Sequence, residues 1–583
     1  MKKIHSLWKY MVCAAAVVLG TAACTDYDTP ASIATGVATD SVRLEVTRRV
    51  LWVNIDGAVG SLVKQEVEQG NLPAIQRMLE HGKYSWLGLA DSRSKVGRTE
   101  VTEEDPLTWA SMLTGVDSQL HFIKSYSYSP DFSLSDNPLG EAVSYFPTVI
   151  QYLTKADDKL QTSCVTPWSN LNRYVGDANS TTTTTTDEET QTTLLKQLQE
   201  GNYRFTLASF KGVLDAGKQG GFTLDNANYV SALKAVDTYL EQLLATIDAR
   251  ENAYYDDWLV IVSSNHGGTP QGQYGGDTSS ERDIFGLFYY PQYSQYEMKG
   301  EVIDAVYLPN SSREVAYAPD STALYGIGAQ KHFSLEMNLR MNPRSNGSYK
   351  GTNWNHMVGK KYWVMARDRE SLSFRVTNKG SYALQQAVHG CNDAIWHAIY
   401  MGLGEVSGSK RKYLISYDGI RQMYDETECM GLEDDSTSVT MGGYGIPTSY
   451  YVASLRLWNE IMDDATVTGN ASMLEVPDNH AYRKNLIGEW RFAPSEVVND
   501  TVIPNRIKGM PDMIFHQKPA FVKMANTLPA KLKSGDLVME NTLIVPQIMY
   551  WLCGAASIDA RLEGYNFLPL YAVEEQWRDY EAE

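Results

Sequence analysis

Two hydrophobic runs in this chain end in side chains that can do chemistry. VLWVNI (50–55) delivers Asp56-Gly57, and WLVIVSS (258–264) delivers Asn265-His266-Gly267-Gly268. Open α/β sheets place reactive groups at the carboxyl ends of such strands. A carboxylate, an amide oxygen and an imidazole are all donors for a divalent cation. Asn265 supplies a carbonyl oxygen without charge, which weakens zinc more than calcium or magnesium. Each residue also has a plainer reading. Asp before Gly57 is a common turn residue, and Thr108, in the first turn of a helix, is more often a cap than a nucleophile.

These residues need elements to hold them. LPAIQRMLEHG (72–82) has apolar residues at helical spacing, and LTWASMLTGVDSQLHFI (107–123) reads as a helix closed by Gly115. NYVSALKAVDTYLEQLLATIDAR (228–250) puts Val230, Leu233, Val236, Leu240, Leu243, Leu244 and Ile247 on one face and leads into the 258–264 run. Strands and helices alternate over 48–295, so the expected fold is α/β with a doubly wound, mostly parallel sheet. STTTTTTDEETQTT (180–193) reads as an exposed low-complexity loop. From about residue 320, KHFSLEMNLRM, YWVMARD, SLSFRVTN, IWHAIYMGL, KYLISYDGI and YYVASLRLWNEIM alternate with period two, the pattern of an antiparallel β-sandwich. The expected domains are an α/β part over 47–318, a sandwich over 319–470, a mixed segment over 471–538 and a returning α/β part over 539–583.

Composition excludes some functions. With 51 Lys+Arg against 70 Asp+Glu, the net charge is −19, which argues against nucleic acid as a partner. The start, MKKIHSLWKYMVCAAAVVLGTAAC, has basic, apolar and small-residue regions in the order of a secretory signal, expected over 1–23. Its apolar part is too short for a convincing membrane span. Cys164, Cys391, Cys429 and Cys553 show no CxxC spacing, so a structural zinc site is not expected. Cys391 and Cys429 could pair; buried free thiols are the equal alternative.

Four stretches together resemble the alkaline phosphatase superfamily, especially its phosphodiesterase/nucleotide pyrophosphatase branch: VLWVNIDG, LTWASMLTGVDSQLH, LDAGKQGGF with the helix after it, and LVIVSSNHGG. IVPQIMYWLCGAASIDARLEGYNFLP is similar to the family's closing segment, arriving about 240 residues late. That implies an α/β domain interrupted by a β-rich insertion, which itself resembles a laminin-G/concanavalin-A-like jelly roll. GTAAC resembles a bacterial lipobox, which implies lipidation of Cys24 and a tether over 24–46. Asp26 and Asp28 are similar to the surface-export tags of Bacteroidetes outer-membrane lipoproteins.

The resemblance implies two metal ions that hold a phosphate while a Ser or Thr attacks. One half-site would use Asp56, Asn265 and His266. The other would use Asp215, but Lys218 and Tyr274 stand where its imidazoles are expected. The nucleophile position falls on Asp105, with Thr108 and Thr102 nearby. At most one divalent cation (Ca, Mg or Zn) is therefore expected. The expected function is a surface-anchored lipoprotein whose phosphatase-like domain has lost catalysis and whose sandwich binds a glycan or a protein partner. Trp354, Tyr382, Tyr417 and Tyr444 are the sandwich's candidate aromatics. The alternatives are a single-metal hydrolase of phosphate or sulfate esters, or a structural accessory of outer-membrane uptake proteins.

Overall fold

The structure is a computed structural model that describes residues 46–571 apart from 92–103, 132–144, 252, 310–312, 329–331, 342–353, 369–370, 379–380, 390, 392–394, 408–409, 429–434, 444–449, 533–536, 555–561 and 565. Cys24, the signal and most of the tether lie outside the described residues, as do Thr102, Cys429 and Tyr444. So do the side chains of Trp354 and Tyr382.

Seven strands build most of the first sheet: β1 (Thr47–Ile55), β2 (Gly82–Leu89), β3 (Thr162–Thr166), β4 (Ser180–Thr183), β5 (Phe205–Phe210), β6 (Asp256–Ser263) and β7 (Asp283–Tyr289). Their order is β2-β7-β6-β1-β5-β3-β4. The run from β6 to β4 is parallel; β7 is antiparallel to both β6 and β2. β1 sits inside the parallel part and is buried from Val50 to Ile55. A strand covered on both faces must be apolar throughout, which is why VLWVNI shows no alternation.

The helix Ala227–Asp248 covers one face with Leu233, Val236, Leu240, Leu243, Leu244 and Ile247, all buried. Its start is fixed by Asn226, whose side chain accepts from the amides of Asn228 and Tyr229. The STTTTTTDEETQTT stretch is ordered, contrary to expectation. Ser180–Thr183 pairs in parallel with β3, and Thr186 caps the helix Asp187–Glu200, whose first turn carries Asp187, Glu188 and Glu189. Threonine is β-branched and suits a strand, and three acidic residues suit a helix N-terminus. Low complexity hid both signals.

Two antiparallel sheets follow and share one core. Leu335, Met337, Leu339, Met401, Leu403, Leu455 and Leu457 of one sheet meet Met357, Trp363, Met365, Leu372 and Phe374 of the other. The strand pairing does not break at residues 319 or 471. Val302–Leu308 pairs with Tyr450–Trp458 and with Ala520–Ala525, while Val502–Ile503 and Met513–Phe515 extend the second sheet. Cys391 is buried.

The chain then returns to the first sheet. Met539–Glu540 pairs in parallel with β2, and the helix Ile544–Cys553 packs on β1, where the Trp551 indole donates to the Arg49 carbonyl at 3.0 Å. The β-rich region is thus an insertion in the α/β domain. Side chains tie the two together. The Arg282 guanidinium donates to the carbonyls of Ala90 and Lys523 at 2.9 Å each, and Arg340 lies 3.7 Å from Glu563.

His356, in the strand Trp354–Gly359, is buried, and burial lowers its pKa from 6.5 to about 4. The folded state therefore binds fewer protons than the unfolded state between those values, so stability is complete above pH 6.5 and falls as pH drops toward 4. Two and a half pKa units correspond to about 3 kcal/mol. In urea unfolding across this range, the wild type should lose about that much and a His356→Gln variant markedly less.

Candidate functional site

Parallel register brings the two sequence motifs together. Asn54 of β1 lies opposite Ser263 of β6, so Asp56 and Asn265 emerge side by side at the carboxyl edge. The turn after Asp56 needs Gly57, whose φ is +76° and whose Cβ would sit 2.9 Å from the Leu214 backbone. A side chain on Gly268 would overlap the Phe222 ring.

Asp56 is fully buried, and its charge is met from three directions. The Asn265 amide nitrogen donates to Oδ1 at 2.8 Å, and the Trp168 indole donates to Oδ2 at 2.8 Å. His266 Nε2 lies 3.2 Å from Oδ1, an ionic contact rather than a well-aligned hydrogen bond. A relay behind the site sets the Asn265 amide. The Trp52 indole donates to Ser263 Oγ at 2.9 Å, Ser263 donates to Asn54 Oδ1 at 3.3 Å, and Asn54 Nδ2 donates to Asn265 Oδ1 at 3.3 Å. With its oxygen taken by Asn54, Asn265 turns its NH2 toward Asp56. This orientation is assigned from the hydrogen bonds.

His266 is 1% exposed, with Nδ1 2.7 Å from the Gly267 carbonyl. Burial alone would lower its pKa. The contact with Asp56, the fields of Asp56 and Asp105 and the Gly267 carbonyl outweigh that and raise it. The Asp56 carboxylate thus favours the protonated ring, whose Nε2 faces Oδ1. Its ring stacks on Tyr274 with centroids 5.1 Å apart, and the Lys218 ammonium lies 5.9 Å from that ring on a cation–π contact.

Asp105 is fully buried in a left-handed conformation (φ 41°, ψ 66°) as the residue before the helix Pro106–Thr114. A non-glycine residue there stores about 1–3 kcal/mol of backbone strain. Thr108 donates its hydroxyl to the Asp105 carbonyl at 3.2 Å, so it works as a local backbone partner. Glu104 is buried beside them. Burial raises its pKa, opposed by hydrogen bonds from Asn170 and Tyr128, while the field of Asp56 adds to the rise. Asp215 lies in the first turn of the helix Gly212–Gly220, half exposed, with Oδ2 3.1 Å from Lys211 Nζ. That ammonium also lies 5.8 Å from the Trp168 ring.

The structure therefore gathers Asp56, Asn265, His266 and Asp105, places Thr108 behind Asp105, and leaves Asp215 half exposed in a helix turn, paired with Lys211. Trp168, Asn54 and Glu104 complete the site and were not legible beforehand. TPWSNLN (166–172) carries no motif, and only the fold brings its indole to Asp56.

The donor set does not fit a divalent cation. A metal ligand must offer a lone pair. Each Asp56 oxygen already accepts one N–H, Asn265 turns its NH2 rather than its oxygen toward Asp56, and His266 Nδ1 faces the Gly267 carbonyl. At the expected second half-site, Lys218 brings a positive charge that would repel a cation. Among the described residues no group of three or more His, Cys, Asp or Glu is arranged to hold a metal.

Residues 50–275 match the family described as type I phosphodiesterase / nucleotide pyrophosphatase, and this part of the chain is an alkaline phosphatase-like α/β domain. Among solved structures, the chain is similar to the lipoteichoic acid synthase LtaP from Listeria monocytogenes at 13% identity and TM-score 0.31, covering 44% of this chain and 69% of that one. It is similar to a 2-O GAG sulfatase at 10% identity and TM-score 0.33, covering 43% and 66%. It is also similar to the binding domain of Paraclostridial Mosquitocidal Protein 1 at 11% identity and TM-score 0.21, covering 24% of this chain and only 36% of that one. No curated protein matches the chain.

Removing the indole donor tests how far the site depends on internal compensation. Trp168→Phe keeps the ring but takes one N–H from a buried carboxylate, which should destabilise the domain by about 1–3 kcal/mol in urea unfolding. An unchanged midpoint would mean that Asp56 does not depend on that bond.

Proposed function

We propose that the alkaline phosphatase-like domain no longer hydrolyses esters and serves as the scaffold of a surface lipoprotein, lipidated at Cys24, whose sandwich binds a glycan or a protein partner. The observation that carries this reading is the saturation of Asp56 by Asn265, Trp168 and His266, which spends the donors that metal-assisted hydrolysis requires. Asp105 at the nucleophile position supports it: a carboxylate beside Asp56 and Glu104 would repel a phosphate or sulfate group. The inserted sheets, with their resemblance to a laminin-G/concanavalin-A-like jelly roll, support a binding role. The signal-like start and GTAAC support export and membrane attachment by lipid alone.

Metal loading and turnover test the reading together. The mature protein, incubated with zinc, calcium, magnesium or manganese, should hold no stoichiometric metal. It should also hydrolyse aryl phosphates, phosphodiesters and sulfates no faster than Asp56→Ala. Turnover above that variant would establish the single-metal hydrolase instead. Asn265→Asp gives the converse. Two carboxylates side by side should lower the melting temperature, and a divalent cation should restore it in the variant while leaving the wild type unmoved. Copurification with outer-membrane uptake proteins from membranes would favour the accessory role.

A further inference from the structure

The outer face of the sandwich sheet that contains Phe333–Arg340, Trp396–Ser407 and Tyr450–Trp458 carries charge where an apolar cover would be simpler. Glu336, Asn338, Ser454 and Arg456 alternate with the core residues Leu335, Met337, Leu339, Leu455 and Leu457. The helix Asp464–Asn470 lies over this face. Its cap is Asp463, its Thr468 hydroxyl donates to the Gly419 carbonyl at 2.7 Å, and its Asn470 donates to Glu336 Oε1 at 2.9 Å.

A recess remains beneath the helix, lined by Glu336, Asn338, Ala398, Gly419, Arg456 and Asn470 among others, with a volume of about 210 Å³ including its mouth. Its enclosed part admits about one oxygen-sized group. Ala398 leaves this space: it stands across from Asn338 in the strand pairing, where a longer side chain would fill the gap.

The lining is satisfied except at two nitrogens of Arg456. Arg456 is 1% exposed; its Nη2 donates to Asn338 Oδ1 at 3.1 Å and to the Met473 carbonyl at 3.0 Å, and its Nε lies 3.4 Å from Glu336 Oε2. Glu336 Oε2 also accepts from the Trp458 indole at 3.1 Å, and Asn470 Oδ1 lies 3.0 Å from His480 Nε2. Arg456 Nε has only that ionic contact, and Nη1 has neither a hydrogen bond nor an ion pair. A buried N–H left unmade is costly, and an incoming oxygen would recover that cost. The charge of the ligand also follows. Glu336 already neutralises Arg456, so an anion would add an unbalanced buried charge, whereas a neutral hydroxyl would not.

We propose that this recess is a saccharide subsite in which one hydroxyl of a neutral hexose enters and accepts from Arg456 Nη1. The rest of the sugar lies across Ala398 and Gly419 at the mouth. The inference rests on the glycan-binding reading of the sandwich and names where and how the sugar is held.

Saturation-transfer NMR on the mature protein with glucose, galactose, mannose and N-acetylglucosamine tests it, comparing wild type with Ala398→Val and Arg456→Gln. At least one hexose should bind, and each variant that keeps the wild-type circular dichroism should bind it about tenfold or more weakly, about one hydrogen bond or its steric equivalent. Binding unchanged in a folded variant overturns the subsite and leaves glycan binding elsewhere on the sandwich intact. No binding of these sugars overturns the subsite too, and a glycan array that is also blank removes the glycan reading itself. Should neither variant fold, crystals soaked in the bound hexose decide. A sugar oxygen within hydrogen-bonding distance of Arg456 Nη1 supports the subsite; a water alone there overturns it.

Discussion

Asp56 is a fully buried carboxylate at the end of the central strand, and a charge in that position has to be compensated. Leaving it isolated would cost far more than the net stability of a domain, so the group must be paired, hydrogen-bonded or neutralised. Here the compensation is internal. An indole, an amide and an imidazole surround the two oxygens and come from two segments of chain: the turn after β3, and the two adjacent residues that leave β6. The surrounding architecture can be understood from that requirement. Trp52, Ser263 and Asn54 hold the amide in the orientation that donates, and Tyr274 backs the imidazole.

This arrangement explains why the departures from the family pattern belong together. Asn265 supplies two N–H groups where an aspartate would add a second negative charge. His266 keeps the expected imidazole, and Asp56 and Asp105 both raise its pKa. Lys218 and Tyr274 make a cation–π contact with each other.

The insertion meets a different constraint. It leaves after β7 and its following loop and returns at Met539–Glu540, both of which reach β2 at one edge of the sheet. A long excursion whose ends lie close together adds little closure entropy to the host domain. The join is then consolidated by Arg282 and by the Arg340–Glu563 pair, buried charged groups that span host and insertion. The sandwich in turn buries a Met- and Leu-rich core while one of its outer faces keeps the Glu336–Arg456 pair under a short helix.

Much of the first domain was legible in the sequence because its signals are local. VLWVNI and WLVIVSS announce buried strands by unbroken hydrophobicity, and the 3.6-residue period of 228–250 announces the helix between them. Their parallel pairing then makes the meeting of Asp56 with Asn265 and His266 nearly unavoidable. STTTTTTDEETQTT misled, since a strand and a helix start written in threonine and acid resemble a loop when read alone. The sandwich was visible as a style of sequence, but its recruitment of 302–308 and 502–525 was not, because a two-residue period says that a segment is a strand and nothing about which strand it pairs with. The sequence by itself determined which segments are strands and helices and which donor types are present near the strand ends. Only the tertiary structure decided that the Trp168 indole reaches Asp56, that Asn265 turns its NH2 rather than its oxygen inward, and that Arg456 Nη1 is buried without a hydrogen bond. Those outcomes depend on contacts between residues far apart in the chain, whose energies no local pattern encodes.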